Sequence, residues 1–165
     1  MQIKLGDWVL DVDVTSTICL SVPQAEDHCT CGYCRNFYEA TDRSLPSLRP
    51  FLRQFGVDME GPDEISPFEP TIYEATYLVQ GSVLYRGTAK LRIDDVPLKI
   101  LSADEIDFPT SHPKPHFGLR IGLFELPWVI DEPMDEVVSP ANTEECISRM
   151  ERKLMTYSLE NDIMA

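Results

Sequence analysis

The first residues, MQIKLGDWVLDVDV, alternate between apolar and polar positions with period two. Ile3 and Leu5 face away from Gln2 and Lys4, and Trp8, Leu10, Val12 and Val14 face away from Val9, Asp11, Asp13 and Thr15. This pattern predicts two strands over residues 2–22, joined by a turn at Gly6-Asp7, with one polar face suited to a half-buried antiparallel sheet. Residues 23–27, opening on Pro23, read as a loop. The period then changes. Cys34, Phe37, Tyr38 and Thr41 are spaced three and four apart, as are Leu48, Phe51, Leu52 and Phe55. That spacing predicts two short helices over residues 31–56. Thr30 is the candidate N-cap of the first. Pro46 and Pro50 limit the start of the second, and Gly56 stands where a terminating glycine belongs.

Residues 57–70, VDMEGPDEISPFEP, contain no basic residue and lack the ligand spacing of a calcium loop, so they read as a solvated acidic connection. From residue 71 to 130 the two-residue period returns. Tyr73, Ala75, Tyr77 and Val79 alternate, and Gly81 permits a bend or bulge before Val83. Leu91 and Ile93, then Val96, Leu98 and Ile100, flank Asp94-Asp95 as a hairpin, and Leu119, Ile121 and Leu123 make a further strand. A closing helix is predicted over residues 143–158. It carries Ile147, Met150, Leu154 and Tyr157 on one face, with Asn142 and Glu145 resembling a capping box. Six to eight strands without alternating helices point to antiparallel packing. The expected fold is α+β in one domain, residues 1–165: an antiparallel sandwich-like sheet, a two-helix insertion near residues 31–56 and a C-terminal helix.

Charge narrows the partners. The chain has 28 acidic and 14 basic residues, a formal net charge of −14. Nucleic-acid backbones and anionic membranes attract Lys/Arg-rich surfaces, so neither is an expected partner, whereas a basic protein is. Asp7, Asp11 and Asp13 interrupt the apolar start, and no stretch has the length of a membrane span. A cytoplasmic location is expected. An odd set of five cysteines in such a chain is expected to be reduced, not a disulfide framework.

The sharp chemical signal is DHCTCGYCRNF, residues 27–37, which places His28, Cys29, Cys31 and Cys34 within seven positions. Three readings compete. In the first, Cys31 and Cys34 are small buried apolar groups that dock the helix with Phe37 and Tyr38. In the second, Cys29, Cys31 and Cys34 hold zinc, with a distant fourth ligand such as His116; His112, Cys19 and Cys146 are the other candidates. His112 and His116 have H-x₃-H spacing, but Pro113 and Pro115 between them predict an extended segment of about 12 Å, too long for one ion. In the third, Cys31-Gly-Tyr-Cys34 is a redox C-x-x-C like that of glutaredoxins, although no βαβ pattern surrounds it. Cys29 separates the first two readings, because packing needs only Cys31 and Cys34 while an ion needs a third sulfur. Within Arg35-Asn36-Phe37, Arg35 is expected to pair with an acidic loop, Asn36 to bond a strand edge and Phe37 to fill the core.

HCTCGYCRNFYEA, followed by a proline-broken helix, FGVD and a later LPWVI, resembles an uncharacterised bacterial family of small proteins with a cysteine-rich C-x-x-C-R-N-F segment. The resemblance spans residues 28–60 and 118–130 and implies no activity. The motifs of serine hydrolases, dinucleotide sites, P-loops and zinc proteases are absent. Asp94-Asp95, Asp104-Glu105 and Asp135-Glu136 read as solvated turns, and Trp128 as an edge-packing aromatic. The function expected first is therefore a non-enzymatic binding or interaction protein. The alternatives are a zinc protein built on the cysteine cluster and a thiol oxidoreductase using Cys31 and Cys34.

Overall fold

The computed structural model describes residues 1–21, 29–69 and 71–134; the loop at residues 23–27 and the helix expected over 143–158 lie outside them. In chain order the elements are β1 (Gln2–Leu5), β2 (Trp8–Val12), α1 (Val14–Ser21), α2 (Gly32–Ser44), α3 (Leu48–Arg53), β3 (Glu64–Glu69), β4 (Ile72–Tyr85), β5 (Leu91–Ile93), β6 (Val96–Ser102) and β7 (His116–Glu125). Every strand pairing among the described residues is antiparallel. The seven strands form one sheet in the order β1-β2-β4-β7-β6-β5, with β3 added to β4. The α+β class holds. A second sheet packed on the first, which a sandwich-like arrangement implies, is not among the described residues.

The core lies on the face of β4 that carries Tyr73, Ala75, Tyr77 and Val79, as the alternation predicts. Register sets Phe124 opposite Tyr73, Ile121 opposite Ala75, Leu119 opposite Tyr77 and Phe117 opposite Val79. Leu98 and Ile100 of β6 extend the same layer. Phe37 and Ala40 of α2, Leu48 and Leu52 of α3, and Phe55 beyond it close over this face, each at most 1% exposed. Each such large side chain contributes roughly 1.5–3 kcal/mol of apolar burial before the cost of ordering it. Gly56 takes φ +80° just past α3, the left-handed conformation expected of a terminating glycine. Asp94 and Asp95 both have positive φ, as a two-residue hairpin turn requires. They are not merely solvated: the Asp94 carboxylate accepts from the Ser47 amide (2.8 Å) and hydroxyl (2.7 Å), fastening the entry of α3 to the hairpin.

Two predicted boundaries give way to tertiary structure. The strand pattern stops at Val12, and residues 14–21 form α1. Asp13 starts it, its carboxylate accepting from the Ser16 amide at 3.0 Å and hydroxyl at 2.8 Å. Such an N-cap outweighs the β-branched composition of VTSTI. The acidic connection is not all loop either. Residues 64–69 pair with β4 as β3, an edge strand whose register shifts beside Pro67, the position where a sheet tolerates proline. β4 continues through Gly81, whose φ is +145°. A Cβ there would lie 1.9 Å from the Asp11 carbonyl oxygen, so glycine lets β2 cross close to β4.

Candidate metal centre

Cys31 occupies the N-cap position of α2 with extended backbone (φ −64°, ψ 158°), and the first helical bond runs from the Arg35 amide to its carbonyl at 3.0 Å. The cap is therefore Cys31 and not Thr30, which stays exposed. The Cys31 side chain itself makes no capping hydrogen bond. Cys31 and Cys34 are buried, at 2% and 5% exposure, while Cys29 is half-buried. The three sulfurs all lie within 4.8 Å of one another, and no disulfide joins them. The amino end of a helix carries partial positive charge, which favours anionic sulfur at this place. Tetrahedral zinc with Zn–S bonds of about 2.3 Å sets its sulfurs about 3.8 Å apart.

The floor and one wall are built from named contacts. The Tyr73 hydroxyl donates to the Tyr33 carbonyl at 3.0 Å, and burial pushes its pKa up to about 12, so it stays a neutral phenol. Phe37 packs on Tyr73 and Phe124, with ring centroids 5.9 and 6.2 Å apart. Asn36, fully buried, donates to the Pro127 carbonyl at 3.1 Å and accepts from the Val129 amide at 2.8 Å. Arg35 makes a two-pronged ion pair with Glu132, one prong at 2.7 Å. Hydrogen bonding to Glu132 holds the guanidinium above its ordinary pKa against an opposing effect of burial, with the Cys31 and Glu39 charges adding to the upward shift. The same bond holds the Glu132 carboxyl below the ordinary range. Arg35 and Phe37 thus take the roles expected of them. Asn36 bonds the irregular chain just past β7 and not a strand edge, because β7 ends at Glu125.

Tyr33, Glu132 and the polar role of Trp128 were not legible in the sequence. Trp128 meets Tyr33 edge-on with ring centroids 6.4 Å apart, and its indole donates to the Glu132 carbonyl at 2.8 Å. The available signal was only the acidic pair Asp131-Glu132 shortly after Pro127-Trp128, which nothing along the chain connects to Arg35.

His116 does not join the sulfurs. It stands opposite Gln80 on β4, seven residues from Tyr73, a separation of about 23 Å at roughly 3.3 Å per strand residue. Its Nδ1 lies 3.2 Å from the Pro113 carbonyl, and burial lowers its pKa. His112 belongs to the same distant end. Its Nε2 is 2.9 Å from Asp63 and its Nδ1 is 3.1 Å from Gln80. The two imidazole rings are 6.4 Å apart, closer than an extended segment would set them. Cys19 is exposed on α1, and His28 and Cys146 lie outside the described residues. A broad cleft of about 850 Å³ also lies at the Gln80 end. Its carboxylates are committed: Asp13 to Ser16 and Asp11 to the amino group of Met1.

The antiparallel sheet also removes the parallel βαβ setting in which a redox C-x-x-C acts. Among the described residues, no helix is long and apolar enough to cross a membrane. Compared with protein-family models, curated proteins and solved structures, the chain matches none.

Proposed function

We propose that this is a metal-binding protein in which Cys29, Cys31 and Cys34 hold a thiophilic ion, zinc in the first place, at the amino end of α2. The observation that carries the reading is the position of Cys29. Packing the helix needs only Cys31 and Cys34, yet the third sulfur, three residues before α2 begins and half-buried, lies within 4.8 Å of both others. Three thiolates are the donor set that soft and borderline ions select over carboxylate sites. The fourth position of a tetrahedral ion falls to a group beyond these three, and His28 and Cys146 are the residues to test. The ion's role is structural: it joins the loop at Cys29 to the first turn of α2.

Elemental analysis of the full chain, purified under reducing conditions without chelator after metal-replete expression, tests this. About one equivalent of zinc per chain is expected, lost in Cys29→Ser as well as in Cys31→Ser. Cobalt in place of zinc should give intense thiolate-to-metal absorption. Metal-free protein from these conditions, or full retention of the ion in Cys29→Ser, overturns the reading.

A further inference from the structure

Four contacts fasten residues 126–132, the strap leaving β7, to the first turns of α2. They are the Tyr33–Trp128 ring contact, the Arg35–Glu132 pair, and the two hydrogen bonds of Asn36. Every α2 residue among them lies between the sulfur ligands or within two residues of Cys34. Resting on the metal reading above, we infer that ion binding and strap docking are linked: the loaded site seats residues 126–132, and the seated strap raises the site's affinity for its ion.

The physical argument is geometric. An ion would tie Cys29 and Cys31, both outside α2, to Cys34 within it. That closes residues 29–34 into one rigid turn and fixes the direction in which Tyr33, Arg35 and Asn36 project. Without the ion this first turn loses that constraint, and helix ends fray. A second observation points the same way. The Nε of Arg35 is buried with no hydrogen-bond partner among the described residues. Three thiolates on a divalent ion leave one net negative charge on the turn that Arg35 directly follows. Arg35, the residue after Cys34, thus links the sulfur-bearing turn to the strap, its terminal nitrogens bonded to Glu132. Its pair with Glu132 is 42% and 45% exposed, so solvent screens it and its work is positioning. Linkage is reciprocal: whatever factor the ion adds to strap docking, docking adds to ion affinity.

Two measurements on the full chain test this. Zinc affinity is measured by competition with a chromophoric chelator at fixed pH under reductant, in wild type and Glu132→Ala, with Asp107→Ala as the control. Asp107 pairs with Arg120, outside the strap and the sulfur turn. A partly exposed ion pair can transmit a weakening of about 2–5-fold, which is expected for Glu132→Ala with no change in Asp107→Ala. Amide hydrogen exchange of residues 126–134 in the wild type should accelerate when zinc is removed. Equal affinity in Glu132→Ala, equal weakening in the control, or unchanged exchange overturns the linkage and leaves the metal reading standing. If Glu132→Ala fails to fold, the wild-type exchange decides alone. A wild type that takes up no zinc overturns the site itself, and the linkage with it.

Discussion

Asn36→Ala tests how the cysteine-bearing helix is locked to the sheet. The side chain is fully buried and makes two well-formed bonds, to the Pro127 carbonyl at 3.1 Å and from the Val129 amide at 2.8 Å. A third contact, to the Tyr73 hydroxyl at 3.4 Å, is long, and that hydroxyl keeps its own acceptor in the Tyr33 carbonyl. Truncation removes both good bonds at a net cost of about 1 kcal/mol each. It also leaves the Pro127 and Val129 groups to find water in a partly buried place, adding about 1 kcal/mol. The total is about 3 kcal/mol, or a fall of roughly 6–12 °C in Tm for a domain of this size. Urea unfolding followed by circular dichroism, at one fixed zinc concentration so that mass action is constant, measures it. Glu39→Ala, three residues on and exposed, is the matched control and should stay within about 0.5 kcal/mol of wild type. Asn36→Ala as stable as that control would refute the argument that these bonds hold the strap to the helix.

Gly81→Ala should destabilise by about 3 kcal/mol or more, because φ +145° strains a side chain and its Cβ would meet the Asp11 carbonyl at 1.9 Å. Near-wild-type unfolding would show that β2 and β4 separate easily there. Asp94→Ala should cost about 1–2 kcal/mol, losing both Ser47 bonds and a residue suited to positive φ. Asp94→Asn should recover most of it, and equal loss in the two variants would argue against the left-handed turn. Burial holds His116 below its ordinary pKa, so between the two values the unfolded chain binds more protons than the folded one. Its contribution is complete above about pH 6.5 and is lost as pH falls through the folded value, with His112, Lys114 and Asp63 facing it. Stability measured from pH 7.5 to 5 should therefore decline, and His116→Gln should flatten part of that decline; an unchanged slope contradicts the assignment.

Where hydrophobic period and local geometry agree, the chain is legible from its residues. The hairpin at Asp94-Asp95, the two helices before Gly56 and the buried face of β4 belong to this class, because each depends on contacts within a few residues or on alternation alone. Two elements escaped for identifiable reasons. In α1 the β-branched residues argued for strand while a single Asp13 cap decided for helix, aided by the Thr17 hydroxyl, which accepts from the Gln80 amide at 3.0 Å. In β3 the proline that argued for loop is tolerated because the strand lies at the sheet edge.

The cysteine segment divides along the same line. The sequence by itself determined that three sulfurs lie within six residues, and that Cys34 shares a helical face with Phe37 and Thr41. Only the tertiary structure decided that Cys29 turns back to within 4.8 Å of its neighbours, and that His116 stands at the far end of β7. It alone decided that Glu132, 97 residues along the chain, meets Arg35. The reason is physical. Spacing along a chain fixes direction within one element, where period and rise are known. Proximity between elements depends on strand register and crossing, which the summed packing of Tyr73, Tyr77, Phe37 and their neighbours sets for the whole sheet at once.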